Sequence, residues 1–183
     1  HFPYTKVVMG QIIKDFLGEE DGNIVLDLIA NHPGTARYIA RKLCRRLVSD
    51  NPPESLVQAA ADVFYANREA TDQLTKVVRM ILLSEEFRTT WGDKIRRPFD
   101  FAGALLRATQ CNHDPKLDNF FWWYNSMGQS LFGWHPPNGY PDVAPAWSST
   151  MPVLQRWRFV NEILEWKIGG EGADKDNKRI VVD

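Results

Sequence analysis

Three arginines at four-residue spacing form the clearest chemical pattern in the chain. Arg37, Arg41 and Arg45 would stack on one face of a helix, with Lys42 and Arg46 beside them. Planar guanidinium groups fork onto carboxylates and phosphates, so this face could bind an anion. A solvated outer face, or internal pairing with acidic side chains of neighbouring helices, would be the ordinary structural outcome of the same pattern.

The segment FGWHPPNGYPDVAPAW, residues 132–147, is the second candidate site. Its prolines exclude a helix or a central strand, and an ordered loop of this length is usually functional or a structural cover. The side chains that could line a ligand site there are Trp134, Asn138, Tyr140, Asp142 and Trp147. The rings would supply an apolar wall and the amide and carboxylate its polar tips. Alternatively, the same rings pin the loop across the helices.

Metal and hydrolase motifs are missing from the sequence. The histidines form no HxH, HxxxH or HExxH pattern, so we predict no metal site. There is no GxSxG or SxxK motif and no glycine-rich phosphate loop. His32, which precedes Pro33, could cap the following helix or serve as an acid or base. The sequence motifs therefore assign no catalytic residue and no cofactor, and both stay unknown.

Composition limits the class of protein. The chain has 183 residues, is 44% hydrophobic and 25% charged, and carries a formal net charge of −1. This balance argues against a nucleic-acid binder, and no window approaches the ~18 apolar residues of a membrane span. Cys44 lies on the apolar side of a helical pattern and is predicted to be a buried thiol, although a disulfide with Cys111 is also open.

Helical periodicity extends over almost the whole chain. The predicted helices cover residues 5–16, 24–30, 33–48, 54–65, 71–83, 98–109, 117–127 and 151–168, with a short turn capped by Ser84. A capping box from Asn51 to Glu54 would begin the fourth of them. In the last helix we expect inward positions at Leu154, Trp157, Val160, Ile163 and Leu164. No alternating strand pattern is longer than residues 180–182.

These elements predict an all-α fold: an irregular bundle of about seven to nine helices with one long, ordered, proline- and aromatic-rich loop. We expect residues 1–168 to form a single helical domain, and residues 169–183 to form a flexible charged tail. Because the chain starts at His1 without methionine, we expect it to be a fragment or a processed piece of a larger protein.

Four blocks, in this order, make the sequence resemble a known family. They are NHPGTARYIARKLCRRLVSDNPP, LLSEEFR, KIRRPFDFAGALLRAT and MGQSLFGWHPPNGYPDVAPAW, and the match extends over about residues 31–161. Together they resemble the C-terminal part of the bacterial domain-of-unknown-function family 1800. His1, Pro3, Lys6 and Gly10 are similar to an upstream segment of the same family. The family motif positions are Lys6, His32, Arg37, Lys42, Pro136, Asn138, Gly139, Tyr140, Asp142 and Trp147.

The resemblance implies a bacterial protein that is exported to the periplasm or cell surface, but it implies no reaction. We expect a binding or assembly module, or a C-terminal subdomain. Its partner would be the rest of the parent chain or a second exported protein, for which domain-of-unknown-function family 1501 is a candidate. The alternative is an enzyme of unknown reaction with a pocket between the Arg37/Lys42 helix and the 132–147 loop. The candidate ligand or partner residues are Lys6, His32, Arg37, Arg41, Lys42, Trp134, Asn138, Tyr140, Asp142 and Trp147.

Overall fold

A computed structural model describes residues 4–14, 18–110 and 120–164, which fall into two compact units, His1–Asp93 and Lys94–Asp183. The first unit contains β1 (Lys6–Val8), β2 (Gln11–Ile13), α1 (Glu20–Ala30), α2 (Pro33–Leu47), α3 (Glu54–Ala66), α4 (Gln73–Leu82) and α5 (Glu85–Thr89). The second contains α6 (Pro98–Ala108), α7 (Phe120–Ser126), a 3-10 turn (Ala144–Ala146) and α8 (Thr150–Leu164).

The mostly helical fold confirms the predicted class, with eight α-helices in the described part of the chain. The single domain over residues 1–168 stays a prediction. The predicted tail, 169–183, and the short pattern at 180–182 lie outside the described residues, as do the predicted helix ends at 117–119 and 165–168.

The helix predicted over residues 5–16 is wrong, because residues 6–13 form an antiparallel hairpin. Residues 15 and 16 of the predicted helix lie outside the described residues. β1 and β2 pair with Val8 opposite Gln11, and the turn between them is Met9–Gly10. Both turn residues have positive φ, 52° and 81°, as a type I′ turn requires. A positive φ at two successive residues ends any right-handed helix, so the hairpin prevails over the four-residue spacing of the apolar residues.

The core of the first unit lies among α2, α3 and α4. Small side chains line α2 and α3 there, including the fully buried Ala40 and Ala60. Because alanine carries little bulk, facing helices can pack closely at these positions. Cys44 is fully buried in this core as a free thiol, which confirms the burial predicted for it. Cys111 lies outside the described residues, and its pairing stays untested.

Two of the three predicted caps are present. His32 caps α2 and Ser84 caps α5, where the Ser84 hydroxyl accepts from the Phe87 amide at 3.2 Å. The capping box predicted from Asn51 to Glu54 is wrong. Pro53 occupies the N-cap of α3, and no side-chain cap bond forms there. The Glu54 carboxylate instead bonds to arginines of α2, because two guanidiniums are stronger partners than one amide.

The core of the second unit is aromatic. Phe159 of α8 is fully buried, and its ring contacts those of Phe101, Phe120 and Trp123 at centroid distances of 5.6–6.4 Å. Ile163 is buried on the same side of α8, as predicted. The predicted inward positions at Leu154, Trp157 and Leu164 are wrong, because all three side chains are exposed. Apolar residues occur on more than one side of α8. The side that carries Phe159 is buried because it packs against the aromatic rings of α6 and α7.

Candidate functional site

The arginine face of α2 is paired internally. Arg37 and Arg41 both donate to the Glu54 carboxylate at the start of α3, Arg41 at 2.6 Å. The hydrogen bond from Arg37 is the main reason why the pKa of Glu54 lies below its usual value. Arg45 donates through Nε to the Asp50 carbonyl at 3.0 Å. These side chains link α2 to the segment that follows it, as the internal-pairing alternative expects, and a role in anion binding stays a prediction.

His32 has a structural role at the start of α2. Its Nδ1 accepts a hydrogen bond from the Gly34 amide at 3.0 Å, which confirms the predicted cap. A side chain at Gly34 would place a Cβ only 2.8 Å from Nδ1, so the cap needs glycine at this position. Lys6 on β1 is in turn paired with Asp21 of α1 at 2.5 Å. The ammonium group of Lys42 lies 5.6 Å from the centre of the Tyr38 ring.

The 132–147 loop is held by its own rings. The Trp134 and Tyr140 rings are 4.9 Å apart, and those of Tyr140 and Trp147 are 5.8 Å apart. Trp147 is only 3% exposed and donates through Nε1 to the Pro141 carbonyl at 2.9 Å. The Tyr140 hydroxyl donates to the Ser130 carbonyl at 2.7 Å. The rings therefore fix the loop, and Trp147 is an internal anchor rather than a contact surface.

The two polar residues predicted to face a ligand in this loop, Asn138 and Asp142, also have partners within the protein. The Asn138 side chain accepts from Trp134 Nε1 at 3.0 Å. Lys94 donates to the Asp142 carbonyl at 2.7 Å and forms an ion pair with its carboxylate at 3.5 Å. Trp134 keeps 37% of its surface exposed, and this is the largest part of the ring cluster that a partner could reach.

The candidate residues separate into two groups. His32, Arg37, Arg41 and Lys42 share α2 in the first unit, with Lys6 on β1 of the same unit. The loop residues Trp134–Trp147 form their cluster in the second unit. A pocket formed jointly by these two groups, which the enzyme alternative requires, stays a prediction.

Two surface features were missed in the sequence. One is an open groove of about 570 Å³ along α4, lined by Leu74, Thr75, Val78, Arg79, Leu82 and Leu83. The other is a pocket of about 460 Å³ between the hairpin turn, α1 and the start of α2. Periodicity predicted the helix over residues 71–83, but it could not show that Leu74, Leu82 and Leu83 would be exposed. The pocket could not be found because one wall is the hairpin that was predicted as helix.

Chemistry elsewhere in the described residues is limited. Burial, and to a smaller extent the negative charge of Glu86, raises the pKa of the Cys44 thiol to about 11, while the positive charge of Arg41 acts in the opposite direction. The thiol is therefore a poor nucleophile. Within residues 4–14, 18–110 and 120–164, no three His, Cys, Asp or Glu side chains are grouped so that they could hold a metal ion. No helix in that part of the chain has the length and apolar character needed to cross a bilayer.

Comparison with known proteins identifies a family. The model of the family described as "Protein of unknown function (DUF1800)" matches residues 1–182. The match covers essentially the whole chain, so the chain belongs to the DUF1800 family. No curated protein and no solved structure matched it.

Proposed function

We propose that this chain is an exported bacterial binding or assembly module that contacts a partner protein through α4. The width of the apolar arc on α4 carries the proposal. Val77 and Ile81 are fully buried in the core of the first unit. On the adjoining side of the helix, Leu74 and Leu82 are 54% and 42% exposed. An apolar arc wider than its own core covers is typical of a helix that packs against something else.

The groove has the shape that a second helix requires. Residues four apart form ridges on a helix surface. One ridge of α4 is Leu74, Val78 and Leu82, and its neighbour is Thr75, Arg79 and Leu83. A groove between two such ridges receives a ridge of another helix. In the described part of the chain the lining comes only from α4 and the residue after it, so a small ligand would have no second wall.

Charge indicates the chemistry of the partner helix. Arg79 stands in the middle of the second ridge, and its guanidinium forms no ion pair within the described residues. An apolar stripe with an acidic residue at the contact would complement it, since guanidinium and carboxylate pair strongly once water is excluded. We assign this helix to a second exported protein, possibly of domain-of-unknown-function family 1501. Periplasmic or cell-surface location is part of the proposal and rests on the family resemblance described above.

The enzyme alternative receives less support from the site geometry. Its proposed acid or base, His32, caps α2 through Nδ1, and its proposed anion-binding group, Arg37, is paired with Glu54. Asp142, whose carboxylate could also act as an acid or base in this alternative, is paired with Lys94. A catalytic role would require these groups to give up bonds that stabilise their own unit.

The proposal is tested in the full-length protein in its own bacterial host. We expect the wild type to elute on size exclusion in a complex with a second protein. The double variant Leu74→Glu/Leu83→Glu should elute alone, because two buried carboxylates would oppose helix packing. Leu26→Glu is the matched control, since Leu26 is 65% exposed on α1, and it should leave the complex intact. A wild type without a partner, or a double variant that keeps it, would overturn the proposal.

A further inference from the structure

The pocket beside the hairpin turn has a distinct chemical character. Its volume, about 460 Å³, is within the usual range for small-ligand sites. Its apolar wall is formed by Met9, Ile24, Leu28 and Pro33, and its polar side chains are Gln11, Asp27, Asn31 and His32. Asp27 and Leu28 come from α1, Gln11 from β2 and Pro33 from α2, so three elements of the first unit meet at the site. None of these lining residues is Lys or Arg.

The polar side chains offer hydrogen-bond acceptors. The Asp27 carboxylate and the Gln11 amide form no hydrogen bond or ion pair within residues 4–14, 18–110 and 120–164. Asn31 donates through Nδ2 to the Asp27 carbonyl at 3.0 Å, which leaves its Oδ1 as an acceptor. The pocket therefore presents one negative charge and two neutral amide oxygens.

His32, the fourth polar residue of the pocket, is occupied by its cap hydrogen bond. Its Nδ1 lone pair is used by the Gly34 amide, so in the neutral ring the hydrogen is carried by Nε2. The cap holds the ring in place as one wall of the pocket, and in its neutral form the ring adds no charge there.

From this arrangement we propose that the pocket binds a primary alkylammonium group. An ammonium carries three N–H donors and no acceptor, which matches the carboxylate of Asp27 and the oxygens of Gln11 and Asn31. The hydrogen bond to Asp27 is charge-assisted, and Ile24 and Leu28 pack against the alkyl stem. A free alkylamine and a lysine side chain of another protein share this chemistry. The inference is independent of the α4 contact.

The test is an NMR titration of the full chain, read at the methyl signals of Met9 and Leu28. The probes are n-butylammonium, Nα-acetyl-lysine amide, and the same lysine derivative acetylated on Nε, which has no charge. We expect the two charged probes to shift both signals and the neutral probe to leave them in place. Asp27→Asn keeps the shape and removes the charge, so it should weaken binding about tenfold or more.

Two further variants complete the design. Gln11→Leu removes a neutral acceptor and should weaken binding less than Asp27→Asn. Asp62→Asn is the matched control, because Asp62 is exposed on α3 and bonds only to Gln58 among the described residues. Tighter binding of the lysine derivative than of n-butylammonium would assign the site to protein lysines, and equal binding would assign it to free amines. Unshifted pocket signals, equal binding of the neutral probe, or an unaffected Asp27→Asn variant would each overturn the proposal.

Discussion

Glu54 accepts from two guanidiniums that lie one turn apart on a neighbouring helix. Each exposed ion pair alone contributes little, because water screens it and two long side chains must be ordered. A shared carboxylate orders three side chains around one point and fixes the position of α3 along α2. The periodicity of Arg37 and Arg41 predicted their shared face, but their partner could not be predicted, since it lies across a tertiary contact.

Replacing Glu54 with Gln should lower stability at neutral pH and have less effect in acid. The pKa of Glu54 is lowered in the folded state, so the stabilisation it gives is full above its ordinary value of 4.5 and is lost as pH falls through the folded value. Urea unfolding of wild type and variant on both sides of that pH measures the difference. Glu69→Gln is the control, because its contact with Arg68 is loose at 3.8 Å. Equal effects of the two substitutions on stability would contradict a stabilising role for the ion pairs of Glu54 with Arg37 and Arg41.

At the scale of elements, the start of α2 and the hairpin show where a local sequence pattern predicts the structure and where it does not. The start of α2 was predictable because a cap acts within three residues of itself. The hairpin over residues 6–13 was not predictable. Its two strands have three residues each, which is too short for an alternating pattern to be recognised beside the four-residue spacing of the apolar residues. The Met9–Gly10 turn decides the outcome, and its positive φ values are visible only in the structure.

Replacing Gly10 with Ala should destabilise the hairpin by about 1 kcal/mol, because an L side chain is strained at φ 81°. The matched control is Gly22→Ala in α1, where a Cβ meets nothing within 4 Å. That substitution should stabilise by roughly 0.5–1 kcal/mol, since Ala favours a helix over Gly. Urea unfolding of both variants measures the change in the free energy of unfolding. A change of the same sign in both variants would contradict a positive φ at Gly10.

Removing the Tyr140 hydroxyl should loosen the 132–147 loop. Tyr140→Phe leaves the Ser130 carbonyl without this donor, which costs about 1 kcal/mol, while the ring contacts with Trp134 and Trp147 remain. Limited proteolysis should then cut faster within residues 132–147. Tyr65→Phe is the control, because its ring is exposed on α3 and its hydroxyl has no partner among the described residues. Unchanged cleavage would show that the hydroxyl does not hold the loop.

For the whole molecule, composition and helical periodicity were sufficient to predict a mostly helical chain. A periodic stripe shows that a face is apolar but not what covers it, so periodicity does not show which helices pack together. The same limit of periodicity applies to α4. Leu74 and Leu82 continue the apolar arc of Val77 and Ile81, yet their side chains are exposed. Which part of an apolar arc belongs to the core and which to a partner is decided by tertiary packing, so the sequence could not reveal this candidate surface.

Site-specific photo-crosslinking in living cells tests the α4 contact most directly. A photoreactive amino acid would replace Leu83, which is 73% exposed at the end of α4, in the full-length protein of its own host. The same replacement at Leu26 on α1 serves as the reference position. We predict a strong crosslink from position 83 to a helix of one exported protein, with an acidic residue near the linked site, and little product from position 26. Equal crosslinking at both positions, or product only within the parent chain, would contradict a partner-binding role for α4.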